Sequence, residues 1–332
     1  MTLKDKYRWD DSPLQNDWRD AVERSDEATV FVTDDFLTAS ECQVDRYLIR
    51  LGNEIRGGVC VIAGDEPGTT KLDDFMIHAG LFFVGDPQQK PVRRRLEQHE
   101  IACFAIERLV AKYQRIEMSL APQFEDLRPF LWHNYHAPVE HPRFKIELRY
   151  TTYVDTSSLI DTRDPAESAA FRSMEALRQR HLRAAVREGA YGVPGGDPRI
   201  LVQNYAELMT RQGSSVPSAQ LDRLLRMLCE LATSHRMRVY ESRTKAGEVA
   251  YSVAYAWDRH RAYYLFGAGP SGDGQPWQGT LAHWTAFVDL ARTMRIGVVD
   301  LEGVNSPQRG WFKLGFGGCL MPYYHVHLDQ SR

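Results

Sequence analysis

Apolar residues recur at two different spacings along this sequence, and the changes between them predict alternating helices and strands. A recurrence every three to four positions is typical of a helix with one buried face, whereas alternation or a short continuous run is typical of a strand. In the first half these patterns predict helices at residues 16–25, 42–51 and 91–113. They predict strands at residues 28–32, 58–63, 75–84, 115–120 and 144–155.

The second half repeats this alternation. Helices are predicted at residues 165–188, 205–211, 219–233 and from 276 or 277 onward, and strands at 238–243, 248–257, 260–266, 296–299 and 321–326. The element order predicts an α/β protein with two domains, residues 1–154 and 155–332, each a mixed β-sheet flanked by helices. We expect the last strand to be able to pair with the first domain. The halves share no obvious sequence repeat.

Composition narrows the class of protein without naming a function. A length of 332 residues favours two domains, and a net charge of −3 with a pI of about 6.4 argues against a general nucleic-acid binder, so no DNA partner is expected. The five cysteines form no CxxC pair, so neither a disulfide framework nor a cysteine zinc site is indicated. The start of the chain is polar, and no apolar run approaches the length that crosses a bilayer. We expect a cytoplasmic protein without membrane insertion.

The strongest candidate for chemistry lies between residues 296 and 326. A buried strand is followed by Asp300 and Glu302, which are two apart and therefore on one face. A loop then leads to Lys313, which lies among aromatic and glycine residues and would be partly desolvated there. A surface lysine beside a glycine-rich turn is the alternative interpretation.

Two further groups of residues are weaker candidates. The glycine-rich loop at 267–274 precedes a helix, so it is either an anion site at a helix N-terminus or a flexible connector; it matches neither a Walker nor a Rossmann loop. His133 and His136 lie three apart, but no third ligand with suitable spacing follows, so metal is not expected. A structural histidine is the alternative to a general base there. No Ser-His-Asp or Cys-His pattern indicates a covalent intermediate.

The second half resembles the Fem-type and related double-domain acyltransferases of the GNAT superfamily. The resemblance covers about residues 155–326 and rests on segments that occur in the same order: EALRQRHLRAAVREGAYGV, YAELMTRQG, VAYSVAYAWDRHRAYYLFGA, GTLAHWTAFVDLARTMRIG, VVDLEGVNSPQRGWFKLGFGG and PYYHV. The first half is similar more loosely, through ATVFVTDDFL and PFLWHNYH. Phe-Lys followed by Phe-Gly-Gly is the most specific element.

The resemblance implies two tandem GNAT-like domains and a reaction in which an amine attacks an acyl donor, either a coenzyme A thioester or an aminoacyl-tRNA. It makes Lys313 a partner of the oxyanion or of a phosphate, and it matches Arg211 and Tyr264 to positions that hold the acceptor's diphosphate. In the coenzyme A members, pantetheine would lie between residues 263–267 and 297–301, with the pyrophosphate at 267–274. Asp300 or Glu302 could relay the proton.

These expectations assign roles to particular residues. The expected catalytic residues are Lys313, Asp300, Glu302 and His133. The expected cofactor-binding residues are Tyr264, Gly267, Gly269, Ser271, Gly272 and Gly274. The expected substrate-binding residues are Arg211, Asn305, Phe312 and His136.

Two departures from the resemblance leave the donor open. The usual GNAT phosphate loop is missing, and no tyrosine follows Asp300 to protonate a leaving thiolate. We expect an enzyme that transfers an acyl group from acyl-CoA to an amino group of a nucleotide-linked amino sugar for cell-surface polysaccharide. The alternatives are a tRNA-dependent aminoacyl transferase acting on a peptidoglycan precursor, and a non-catalytic double-GNAT binding module. No oligomeric state is predicted.

Overall fold

Buried apolar side chains form two separate clusters, and each cluster is the core of one unit of the chain. The computed structural model describes residues 3–272 and 274–331. The first unit comprises the chain up to Arg149 and the residues from Pro322 onward; the second comprises Tyr150–Met321. Within the described residues, every helix is too short or too polar to cross a bilayer.

The first unit begins with a mainly antiparallel sheet. Its helices are α1 (Leu3–Lys6), α2 (Gln15–Arg24), α3 (Asp34–Ser40), α4 (Pro91–Lys112) and α5 (Arg128–Leu131), with a 3-10 helix at Val30–Val32. Its strands are β1 (Arg8–Asp10), β2 (Val44–Leu51), β3 (Glu54–Ala63), β4 (Thr70–Lys71), β5 (Leu81–Phe83) and β6 (Arg115–Leu120). The strand order is β1-β2-β3, and both β4 and β5 pair with β3. Strand β7 (Lys145–Asp155) then carries the chain into the second unit.

The second unit is built on a mixed sheet. Its helices are α6 (Ala169–Ser173), α7 (Ala176–Arg187), α8 (Pro198–Arg211), α9 (Ser218–Thr233), α10 (Gln278–Met294) and α11 (Pro307–Leu314), with 3-10 helices at Ser157–Leu159 and Pro165–Glu167. Its further strands are β8 (Tyr191–Pro194), β9 (Met237–Arg243), β10 (Val249–Trp257), β11 (Ala262–Ala268) and β12 (Val298–Asp300). The order is β7-β12-β11-β10-β9-β8, in which β11 and β12 are parallel and each of the other neighbouring pairs is antiparallel.

The final strand, β13 (Cys319–Asp329), begins in the second unit and ends in the first. Its residues Tyr324–Asp329 pair antiparallel with β6. On this strand Val326 and Leu328 are buried in the core of the first unit. The alternation of these two apolar residues with polar neighbours matches a strand with one face on a core.

The long helices form where the sequence predicts them. Helix α4 begins at Pro91, whose fixed φ suits the first turn, and it buries Ile101, Phe104 and Leu109. Helix α10 buries the apolar stripe that contains Leu281 and Phe287. An α/β fold in which helices flank two sheets is therefore confirmed.

Several local predictions are wrong. The predicted helix at 42–51 is strand β2. Tyr47, Leu48 and Ile49 are all buried in the interior of a sheet. The prediction was wrong because a continuous apolar run of this kind is also compatible with the spacing of a helix. The predicted strand at 28–32 is a buried 3-10 helix, and the one at 75–84 shortens to β5. The predicted helix at 165–188 is divided into α6 and α7, with Met174 extended between them.

Candidate active site

Two parallel strands of the second unit separate at the centre of the candidate site. Ala262 pairs with Val299, and Tyr263 pairs with Asp300. Strand β12 ends there, but β11 continues to Ala268. In residues 3–272 and 274–331, no strand pairs with the remainder of β11 on the side of β12. This part of β11 therefore has an open edge of backbone N–H and C=O groups.

The turn after β12 brings two carboxylates into the interior. Asp300 is fully buried; its Oδ1 accepts hydrogen bonds from the Thr151 hydroxyl and, at 2.8 Å, from the backbone N–H of Glu302. Glu302 is 3% exposed and has a φ of +57°, a left-handed conformation that redirects the chain towards α11. Burial, reinforced by the negative charge of Asp300, raises the pKa of Glu302 well above its usual range.

Lys313 lies at the start of the open edge of β11. Its Nζ donates to the carbonyl oxygens of Gly303 at 3.0 Å and Glu302 at 3.3 Å, and it lies 5.1 Å from the ring centroid of Tyr264. Burial lowers the pKa of Lys313 to about 8, although the charges of Glu302 and Asp300 partly oppose that shift. The lysine belongs to helix α11, so the expected loop and glycine-rich turn around it are partly wrong.

Helix α11 forms because Pro307 occupies its first turn, where the missing N–H costs nothing. The helix presents Phe312 towards the core and leaves Trp311 75% exposed. The Phe312 ring faces the Arg178 guanidinium at 4.4 Å and the Phe316 ring at 5.4 Å. Phe312, which was predicted to bind substrate, is therefore held mainly by packing.

Sequence reasoning missed two residues that pack against Phe312, the neighbour of Lys313 on α11. His283 is 1% exposed on α10 and shares a 2.5 Å hydrogen bond with the Tyr255 hydroxyl. Burial, reinforced by the nearby charges of Lys313 and Arg178, lowers the pKa of His283 to about 3, so this imidazole is neutral. Arg178 of α7 is 9% exposed and donates to the Thr280 hydroxyl at 3.1 Å. No spacing motif marks either residue.

Arg211 contacts the glycine-rich loop; the roles predicted for the two stay predictions. Its Nη1 donates to the Ser271 hydroxyl, which donates in turn to Glu207 at 2.7 Å. All three residues are on the surface or partly exposed at the end of α8. Arg211 and Ser271 are thus neighbours, and Glu207 partly balances the arginine's charge.

The glycines of the loop serve two different purposes. A Cβ on Gly267 would lie 2.8 Å from the Ser252 carbonyl, and one on Gly269 would lie 2.7 Å from the Ala250 carbonyl, so both permit close packing on β10. Gly272 has a φ of +126°, which other residues rarely adopt. A Cβ on Gly274 would meet the Gln278 side chain. Asp273, within the loop, lies outside the described residues.

Asn305 is tied to the backbone of β7. Its Oδ1 accepts from the Tyr150 N–H at 2.8 Å, and its Nδ2 donates to the Tyr150 carbonyl at 3.0 Å. This pairing extends the strand's hydrogen bonding to a side chain and fixes the segment before α11. A substrate-binding role for Asn305 stays a prediction.

The two predicted histidines belong to the first unit. His133 is partly buried, packs against Phe144 with ring centroids 5.5 Å apart, and has a pKa lowered by burial. His136 is exposed, with its ring 5.1 Å from that of Tyr135. Among the described residues, neither belongs to a cluster of three potential metal ligands. The roles predicted for them stay predictions.

The first unit also contains a cysteine–histidine contact that the sequence did not indicate. The Cys103 sulfur lies 3.6 Å from His99 Nε2, and Nδ1 of the same ring donates to Asp126 at 3.3 Å. Burial raises the pKa of the Cys103 thiol. The thiol form is therefore favoured at neutral pH, which does not suit a nucleophile.

Comparison with known proteins identifies the fold. No protein-family profile and no curated protein matches the chain. The crystal structure of FemX aligns over 96% of each chain with 11% identity and a TM-score of 0.67. A tandem GNAT protein from the clavulanic acid biosynthesis pathway aligns over 98% of each chain, with 13% identity and a TM-score of 0.55. The C-terminal domain of a putative lysylphosphatidylglycerol synthetase from Agrobacterium fabrum aligns over 96% of this chain and 92% of that one, with 11% identity and a TM-score of 0.54.

These likenesses extend along the whole chain, and they establish a double-domain fold of the GNAT and Fem type. The expected fold is confirmed. Because identity is low, the activity has to be argued from the site itself.

Proposed function

We propose that this protein is an N-acyltransferase that moves an acyl group from a coenzyme A thioester to the amino group of a nucleotide-linked amino sugar used for cell-surface polysaccharide. The observation that carries the proposal is the open edge of β11 with a partly buried lysine at its start. Tyr263 is the last residue of β11 paired with β12, and the Lys313 ammonium lies over the ring of the next residue, Tyr264.

The open edge suits an extended donor that contains amide groups. Backbone N–H and C=O groups of an unpaired strand need partners, and a ligand that lies along the strand can supply them. The pantetheine arm of coenzyme A is extended and has two amides. Bound along Tyr264–Ala268, it would direct the thioester towards Lys313 and the pyrophosphate towards the loop at 267–274.

Lys313 is suited to stabilise the oxyanion. An ammonium has three N–H donors, and two of them are directed at the carbonyls of Gly303 and Glu302. The third can donate to the thioester oxygen as negative charge develops there. Partial desolvation makes this interaction stronger than it would be in water.

Glu302 is the better of the two candidate proton acceptors. The neutral amine attacks the thioester carbon, a C–N bond forms, the C–S bond breaks, and the amine proton must reach the leaving thiolate. The Oδ1 atom of Asp300 already accepts two hydrogen bonds that shape the turn. Glu302 has a raised pKa, so it can accept the amine's proton and return it to the thiolate.

In the tRNA-dependent alternative, where no coenzyme A occupies the loop at 267–274, the acceptor's diphosphate is assigned to Arg211. This arginine lies at the end of α8 and contacts Ser271 of the loop. Phosphate oxygens can replace the serine and bind the guanidinium through two N–H groups. Tyr264 would contribute its ring or hydroxyl at the opposite end of the open edge.

The runner-up is a tRNA-dependent aminoacyl transferase acting on a peptidoglycan precursor. One observation favours it: close packing on β10 accounts for Gly267 and Gly269, so these glycines give no independent support to a pyrophosphate loop. A non-catalytic binding module would be consistent with the same observation.

Donor dependence tests the proposal. The purified protein is mixed with acetyl-CoA or longer acyl-CoAs and a panel of UDP-linked amino sugars; free thiol is measured with a chromogenic reagent and the product by mass spectrometry. We expect thiol release that requires both substrates and a product that is heavier by one acyl group. Activity only with charged tRNA and a peptidoglycan precursor would reverse the choice. Ligand binding without turnover across the whole panel would support the binding module.

A further inference from the structure

A second constellation of polar residues lies in the first unit, on the strands around β13. His325 and His327 flank the buried Val326, so both imidazoles lie on the face opposite the core. Glu147 of β7 is close to both. One potential ligand atom from each of these three residues lies within 4.8 Å of the others.

Each edge of the His327 ring faces a carboxylate. Nδ1 lies 3.6 Å from Glu117 Oε1, and Nε2 lies 4.0 Å from Glu147 Oε2. Glu117 is the direct cross-strand partner of His327 on β6. A carboxylate on the far side of a histidine fixes the ring and its tautomer, an arrangement found around metal-bound histidines.

Glu147 is also held from behind. Its Oε1 accepts from Arg149 Nη1 at 2.8 Å, while Oε2 is the atom that faces His327. Arg149 supplies the positive charge next to the cluster, and Glu117 and Glu147 supply two negative charges. The side chain of Glu147 is about half exposed, so it can move the short distance that separates the present spacing from metal coordination.

We propose that Glu147, His325 and His327 form a binding site for a divalent transition-metal ion of the zinc class, with Glu117 as the residue that orients His327. Two imidazole nitrogens and one carboxylate oxygen suit zinc or cobalt, whereas magnesium and calcium prefer oxygen ligands alone. A cleft of about 720 Å³ lined by Glu117 and His327 gives solvent access to one side of this histidine. An ordinary surface ion pair is the competing explanation, and such pairs contribute little stability.

Metal titration of the full chain tests this site. Chelator-treated protein is titrated with Co²⁺, whose visible absorption reports coordination, and the cobalt is then displaced with Zn²⁺. We expect saturation at about one equivalent, with nitrogen and oxygen ligation. His325→Gln and His327→Gln should each lose stoichiometric binding, and Glu117→Gln should weaken binding by about 10- to 100-fold. His141→Gln, an exposed histidine of the same unit, is the matched control.

Far-ultraviolet circular dichroism verifies that each variant is folded. A second measurement needs no variant: Zn²⁺ should protect His325 and His327 of the wild-type protein from diethyl pyrocarbonate, while His141 stays reactive. Absence of saturable binding would overturn the site. Metal binding and protection from diethyl pyrocarbonate that are the same in His325→Gln, His327→Gln and wild type would also overturn it.

Discussion

Replacing Lys313 by methionine separates the proposed catalytic role of this lysine from a structural one. The substitution keeps most of the apolar stem and removes the ammonium that lies over Tyr264. A positive charge directed at a developing oxyanion contributes about 3–4 kcal/mol, or roughly two to three orders of magnitude in rate. We therefore expect turnover to fall by about 100- to 1000-fold.

The effect on stability should be much smaller, because two terms of opposite sign are removed together. The pKa of Lys313 falls from 10.5 to about 8, so keeping its charge in the folded protein costs about 3 kcal/mol. Its two hydrogen bonds to carbonyls at 3.0 and 3.3 Å return about 1.5–3 kcal/mol each when the donor is charged. The difference is a loss of about 0–3 kcal/mol in the free energy of unfolding, so we expect the melting temperature to fall by no more than about 10 °C.

The pH dependence of stability gives a second measure of the same burial. Between about pH 8 and 10.5 the unfolded chain retains the lysine proton and the folded chain does not. Wild type should therefore gain stability relative to Lys313→Met as the pH rises through this window. Chemical denaturation at several pH values measures that gain.

The assay is acyl transfer under saturating donor and acceptor, with Lys245→Met as the control. Lys245 is an exposed lysine of the same unit, and its replacement should change neither turnover nor melting temperature appreciably. A Lys313→Met enzyme whose turnover stays within about threefold of wild type would refute the proposed role.

Four other substitutions, one of them a control, test the packing and protonation of the second unit. Gly317→Ala should lower the free energy of unfolding by more than about 2 kcal/mol, because Gly317 has a φ of +81° and an added Cβ would lie 2.4 Å from the Ser173 carbonyl. Gly213→Ala is the control: Gly213 has a φ of +78° with nothing within 4 Å, so its substitution should cost only about 1–2 kcal/mol. Equal costs of the two substitutions in urea denaturation would contradict the close contact at Gly317. As the pH falls from 7 to 4, wild type should lose about 3 kcal/mol of stability relative to His283→Gln, because the histidine takes up a proton near pH 6.5 in the unfolded chain and only near pH 3 in the folded one. A stability difference that does not change with pH would count against a buried neutral imidazole. Glu302→Gln should lower turnover by about 100-fold or more and remove the acid limb of its pH profile, and a profile like that of wild type would exclude it as the proton acceptor.

The regular elements of the second unit could be predicted because local pattern and final environment agree there. The strands from Met237 to Ala268 consist of alternating or continuous apolar residues between turns, and α10 has one wide apolar stripe. In such segments neighbouring residues decide the structure almost alone. Their bounds differ from the predicted ones by a few residues at most.

Prediction failed where the deciding contacts come from distant parts of the chain. Strand β2 satisfies helical spacing, and only its pairing with β1 and β3 selects the extended form. The residues that pack on Phe312, next to Lys313, include Arg178 from α7 and His283 from α10, more than a hundred positions apart. The proposed metal ligands come from β7 and β13, and none of them was singled out from the sequence.

The segment at residues 312–318, which is the most specific part of the resemblance, contains residues that packing explains and one, Lys313, that packing alone does not explain. Phe316 is fully buried, a Cβ on Gly317 would collide with the Ser173 carbonyl, and one on Gly318 would lie 2.3 Å from the Thr152 hydroxyl. These three residues are explained by packing, so any protein with this fold needs something similar at their positions whether or not it is an enzyme. Packing alone does not explain Lys313: its ammonium is partly buried, its pKa is lowered to about 8, and groups with such perturbed pKa values are concentrated at functional sites. The case for transfer chemistry therefore depends on Lys313, which is why its replacement is the experiment that bears most directly on function.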